Sequence, residues 1–102
     1  MDQLQEARTI INDVDQQMAV LFVRRMEACR IIAGCKKERA LPVYDAEREK
    51  AVLQKNGALV EDEQIRDYYL RFLQNIMDLS KLYQFSLIEG PKVTYAGDQG
   101  AS

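Results

Sequence analysis

Apolar residues recur along the first third of the chain in alternating steps of three and four: Leu4, Ala7, Ile11, Val14, Met18, Leu21, Arg25, Ala28, Ile32 and Cys35. That spacing draws one seam along a helix and predicts an α-helix from about Gln3 to Lys37, with no proline inside it and Gly34 only near its end. At 1.5 Å per residue such a helix is about 50 Å long, whereas a compact chain of this size has a diameter of roughly 35 Å. The helix overshoots its own domain, so its surplus apolar face needs a partner. A second copy of the chain about a twofold axis is the simplest partner, and an intertwined homodimer is the expectation.

Ala40-Leu41-Pro42-Val43 ends this helix, because proline cannot continue it and pushes its predecessor toward extended geometry. Asp45 is placed to cap a short second helix over Ala46 to Asn56, with Gly57 as its stop. A third helix starts near Glu61-Asp62 and runs to about Ile88 or Glu89, ended by Gly90-Pro91. One of its faces carries Ile65, Tyr69, Phe72, Ile76, Leu79 and Tyr83, and a neighbouring stripe carries Leu70, Leu73, Met77, Ser80, Gln84 and Leu87. The predicted fold is all-α, three helices in the order long, short, long, packed as a homodimeric bundle. Residues 1–89 are expected to form that domain. Residues 90–102 change character and read as a tail or linker, a short strand and a glycine-rich turn with nothing in a helical domain to pair with.

Composition narrows the class of partner. Of 102 residues 47% are hydrophobic and 29% charged, and 14 basic against 16 acidic residues give a net charge of -2, which argues for a soluble domain and against a nucleic-acid ligand. No apolar run reaches the roughly 20 residues of a membrane span, and the N-terminal MDQLQEARTI lacks the basic start and apolar centre of a secretion signal. A cytoplasmic protein with no membrane partner is expected. Cys29 and Cys35 lie on one helix in poor geometry for a disulfide, and with no histidine no metal site is expected. The absence of histidine also excludes any Ser-His or Cys-His nucleophile.

Polar residues in apolar places then carry the argument. Arg25 interrupts the long seam, where an unpaired ion costs several kcal/mol, so an anion is expected to meet it. Lys36 falls within roughly 20° of Arg25 on the helical wheel, three turns along. Arg8 lies about 100° away and about 25 Å distant, so only an Arg8 from a second, antiparallel chain can join the group. Asp45, Arg48 and Glu49 share a face of the short helix, and Ser80 and Gln84 interrupt the third helix's stripe at i, i+4 spacing. Each has a plain structural account: a salt-bridged turn, polar residues bonded to backbone, an Arg25–Glu49 pair. Together they describe a pocket inside a helical bundle, with several cations, neutral donors and one carboxylate. It suits a small dicarboxylate carrying a hydroxyl for Glu49. With no nucleophile or acid–base pair in evidence, any catalysis there rests on positioning and electrostatics.

The series Arg8, Arg25, Lys36, Asp45, Arg48, Glu49, Ser80, Gln84 resembles, in identity and spacing, the active-site pattern of the all-helical (AroQ-class) chorismate mutases, over about residues 4–89. The most specific stretch is Lys36 followed by Pro42-Val43-Tyr44-Asp45-Ala46-Glu47-Arg48-Glu49. The resemblance implies a cofactor-free isomerase of phenylalanine and tyrosine biosynthesis that turns chorismate into prephenate by a concerted [3,3] rearrangement. It implies that Arg25 and Arg8 of the partner subunit bind the substrate carboxylates, with Arg48 and Ser80 helping to hold the substrate. It also implies that Lys36 and Gln84 donate to the ether oxygen as the catalytic pair. Glu49, with backbone near Asp45 and Arg48, would bind the ring hydroxyl.

The last stretch, Val93 to Ser102, similarly looks like the opening strand and turn of a prephenate dehydratase domain. Two alternatives remain beside the mutase. Isochorismate-pyruvate lyase shares the fold and a similar pocket, and a non-catalytic dimerisation module would pair Arg25 with Glu49 but leave Lys36, Ser80 and Gln84 without an account.

Overall fold

A computed structural model describes residues 2–90, which form three helices: α1 (Gln3–Arg39), α2 (Ala46–Gly57) and α3 (Glu63–Glu89). The long, short, long order is the one the periodicity predicts, and among the described residues there is no strand. The strand and turn expected after Gly90 lie outside the described residues. None of the described helices is long and apolar enough to cross a membrane.

Local chemistry sets the helix ends. The Asp2 carboxylate accepts the Gln5 N–H at 2.9 Å, Glu6 lies in the first turn of α1, and Lys36, Lys37 and Arg39 lie in its last, each matched to the helix dipole. α1 runs two residues past the expected Lys37, and what ends it is Ala40 rather than Pro42. Ala40 adopts the left-handed conformation (φ 55°, ψ 40°), and the following Leu41 N–H returns to the Lys36 carbonyl at 2.8 Å. That conformation costs an L-residue about 1–2 kcal/mol. Ala40→Gly is therefore expected to stabilise the chain by about 0.5–1 kcal/mol, seen as a higher urea midpoint at unchanged slope. A midpoint that stays put or falls would show that Ala40 carries no such strain.

Asp45 caps α2 by accepting the Arg48 N–H at 3.0 Å. Gly57, expected as the stop of this helix, is its last residue; it has no positive φ, and the chain leaves through Ala58 in right-handed geometry. Gly57 is buried, and a Cβ there would sit 3.0 Å from Leu70 Cδ2, so the glycine lets α2 approach α3 closely. Arg66 closes the connection by donating from Nε to the carbonyls of Gly57 (3.2 Å) and Val60 (2.8 Å) and from Nη2 to that of Glu61 (3.0 Å). Asp62 caps α3 through the N–H groups of Gln64 and Ile65, and Gly90 turns away at φ 85°.

α3 packs against both α1 and α2. Its buried line is Leu73, Met77, Ser80 and Gln84, the second of the two stripes read from the sequence. On α1 the buried residues are Cys29 and Ala33, with Met26 and Lys36 half-buried beside them. This line is offset by one residue, about 100°, from the expected seam. The seam itself stays open: Leu4, Ile11 and Leu21 are each 56% exposed, and Val14, Met18 and Ile32 are exposed as well. Ile65, Phe72 and Leu79 on the other face of α3 are likewise exposed. α1 thus carries two adjacent apolar lines, and α3 uses the shorter one.

Candidate active site

Where the buried line of α3 turns polar, a cavity of about 300 Å³ opens between α1, the 40–45 connection, α2 and α3. α1 contributes Arg25 and Lys36, the cap and first turn of α2 contribute Asp45, Arg48 and Glu49, and α3 contributes Ser80, Lys81 and Gln84. Seven of the eight residues singled out in the sequence line it; Arg8 does not.

The half-buried Arg25 donates from Nη1 to Ser80 Oγ at 2.5 Å and lies 3.9 Å from Cys29 Sγ. Ser80 Oγ in turn bonds the Ile76 carbonyl at 2.8 Å, so the hydroxyl is oriented from both sides. Among the described residues no carboxylate pairs with Arg25, and the Arg25–Glu49 pair does not form. Glu49 instead engages α3, receiving Lys81 Nζ at 2.9 Å on Oε2 and Gln74 Nε2 at 3.4 Å on Oε1. The guanidinium therefore faces the cavity with its charge unpaired.

Lys36, in the last turn of α1, donates from Nζ to the Val43 carbonyl at 2.7 Å and so ties the connection to the helix it leaves. An ammonium has three donors, and two remain. Gln84 is 6% exposed, and its Oε1 is buried without a hydrogen-bond partner. A buried amide oxygen without a partner is costly unless a ligand or water meets it, so a polar ligand is the natural complement. Asp45 is occupied as the α2 cap, while the Arg48 side chain is exposed at the rim.

The sequence model of chorismate mutase type II matches residues 7–85, which is most of the chain and includes every residue of the cavity. The chain belongs to the chorismate mutase type II family. It is also 27% identical over 107 aligned positions to the T-protein of Haemophilus influenzae, an alignment that covers 98% of this chain and 28% of that protein. The chain thus spans little more than a quarter of the length of that relative. No solved structure matches it. Family membership makes it a mutase, an isomerase, and an isomerase can work with the absence of nucleophile noted above.

In this mutase the Arg8 side chain is exposed on α1, 17 residues before Arg25 and about 25 Å along the axis, so its own chain does not bring it to the cavity. Lys81 is the residue that sequence reasoning missed. Its spacing from Met77 (i+4) and to Gln84 (i+3) was the available signal, since both neighbours on that face are buried. Besides Glu49 it meets Asp78 Oδ1 at 3.3 Å, and its ammonium lies 4.8 Å from the centroid of the Tyr44 ring. The hydrogen bond to Glu49 raises the Lys81 pKa above the usual lysine value against the opposing effect of burial. Asp78 is held below the usual carboxylate value, chiefly by the hydrogen bond from Gln74. Among the described residues no cluster of three or more Cys, Asp or Glu side chains is arranged to hold a metal.

Proposed function

We propose that the cavity binds chorismate and rearranges it to prephenate, as a step toward phenylalanine and tyrosine. The observation that carries this reading is a guanidinium, Arg25, that no carboxylate meets among the described residues, in one cavity with the Lys36 ammonium and the Gln84 amide. A dicarboxylate supplies the missing counter-ion, and its ether oxygen can accept from the ammonium and the amide N–H.

The reaction moves no proton and needs no covalent intermediate. Arg25, with Arg48 and Ser80, holds the carboxylates and so selects the folded conformer, which removes part of the barrier as lost conformational freedom. As the C–O bond breaks, charge grows on the ether oxygen. Lys36 Nζ, held in place by the Val43 carbonyl, and the Gln84 amide N–H are the donors the cavity offers it. A 10⁶-fold acceleration needs about 8 kcal/mol, within the combined reach of conformer selection and two such donors. Glu49, its carboxylate oriented by Lys81 and Gln74, accepts from the ring hydroxyl.

The site is completed by Arg8 of the partner subunit in a homodimer. Support for this is the open apolar seam of α1 and an apolar trough of about 780 Å³ lined by Met18, Leu21, Phe22, Tyr69, Phe72 and Ile76, which shares Arg25 and Arg48 with the cavity. A dimer interface laid in that trough would run directly into the site.

The test is incubation of the chain with chorismate, followed by acid conversion of the product to phenylpyruvate. Unchanged chorismate would overturn the reading, and release of pyruvate with salicylate from isochorismate would assign the lyase reaction instead. An amide donates at any pH, whereas a carboxyl donates only when protonated. Gln84→Glu is therefore expected to make kcat/KM rise steadily as pH is lowered from 8 to 5, where the wild-type profile changes little. Parallel profiles would remove Gln84 from the ether oxygen.

A further inference from the structure

Glu49 poses a problem for the proposed function. Its carboxylate lines a cavity meant for a dianion, and like charges in a partly desolvated site repel. Lys81 stands where that problem is met. Its Nζ lies 2.9 Å from Glu49 Oε2, and both side chains are mostly buried, 22% and 17% exposed. The second oxygen of Glu49 receives Gln74 at 3.4 Å, so each oxygen is held by one donor and keeps a lone pair for a substrate hydroxyl. The other ion pair of Lys81, to the half-exposed Asp78 within the same helix, is worth little and does not aim the ammonium at α2.

The ammonium also lies over Tyr44, in the same connection whose Val43 carbonyl is bonded by Lys36. Lysines from α3 and α1 thus fasten one connection at adjacent residues, and that connection leads into the Asp45 cap and Glu49.

We propose that Lys81 is a positioning residue of the site: it orients the Glu49 carboxylate and offsets its charge, so that a dianionic substrate can enter beside it. This rests on the assignment of Glu49 as the hydroxyl acceptor. Lys81 need not touch the substrate. Its effect passes through Glu49 and falls mainly on binding, because the like-charge repulsion it relieves is present in the bound ground state and the transition state alike.

A double-mutant cycle on the full chain tests this, with KM and kcat for chorismate as readouts. Lys81→Met is expected to raise KM about tenfold with kcat within about threefold of wild type, and Lys81→Arg to stay within about threefold in both. In the Glu49→Gln protein, adding Lys81→Met is expected to change KM less than about twofold, since the charge it offset is gone. A tenfold rise in both backgrounds would overturn the proposal, because direct substrate contact or a damaged fold gives that result. So would an unchanged KM in Lys81→Met. A wild-type chain that leaves chorismate unchanged would instead overturn the proposed function, and this inference with it.

Discussion

Replacing Lys36 by alanine is expected to lower kcat by at least about 10²-fold, the scale on which one preorganised oxyanion donor acts. The half-buried ammonium lines the cavity, and its bond to the Val43 carbonyl at 2.7 Å fixes where Nζ sits without using its remaining donors. A donor held in place before reaction stabilises developing charge without reorganisation, which is the advantage it has over water. The same bond gives Lys36 a second role, since its loss frees a connection that carries Tyr44 and Asp45. That loss should cost about 0.5–1.5 kcal/mol of stability, read from urea unfolding, and should raise KM. The two roles separate in the measurement: a loosened connection raises KM, whereas a missing transition-state donor lowers kcat at saturation. A kcat equal to wild type would remove Lys36 from the chemistry.

The parts of the fold that were legible in the sequence depend on neighbours within a helical turn. Asp45 was readable as a cap because a short carboxylate before a helix meets the N–H three residues on, and the structure shows that bond to Arg48. The line Leu73, Met77, Ser80 and Gln84 was readable because i, i+4, i+7 positions share a face in any helix. What was not legible depends on how each helix is rotated about its axis. α1 carries two apolar lines about 100° apart, and nothing local says that α3 covers Cys29 and Ala33 while the longer seam stays open. The same rotation decided Glu49: from sequence Arg25 was as good a partner as any cation, but the first turn of α2 turns the carboxylate toward Lys81 and Gln74. Gly57 was legible as the end of α2 but not as the point where α2 meets Leu70 of α3, since a close approach between helices leaves no mark on the local pattern.

The open seam and the uncompensated Arg25 lead to the prediction with the largest effect. If each site combines Arg25 of one subunit with Arg8 of the partner subunit, then Arg25→Ala and Arg8→Ala should each lose at least about 10²-fold in kcat/KM, since each removes a charged carboxylate contact in a partly desolvated site. Arg8→Ala would do so although Arg8 lies about 25 Å along α1 from the cavity of its own chain. Mixing the two inactive proteins and letting subunits exchange produces heterodimers in which one site has both arginines and the other has neither. Random assortment makes half of the dimers mixed and half of their sites intact, so the equilibrated mixture should recover about a quarter of wild-type activity. The number is set by symmetry rather than by any energy, which makes it hard to imitate. Sites contained within single chains would leave the mixture at the activity of its inactive parents, and the seam would then need a different partner.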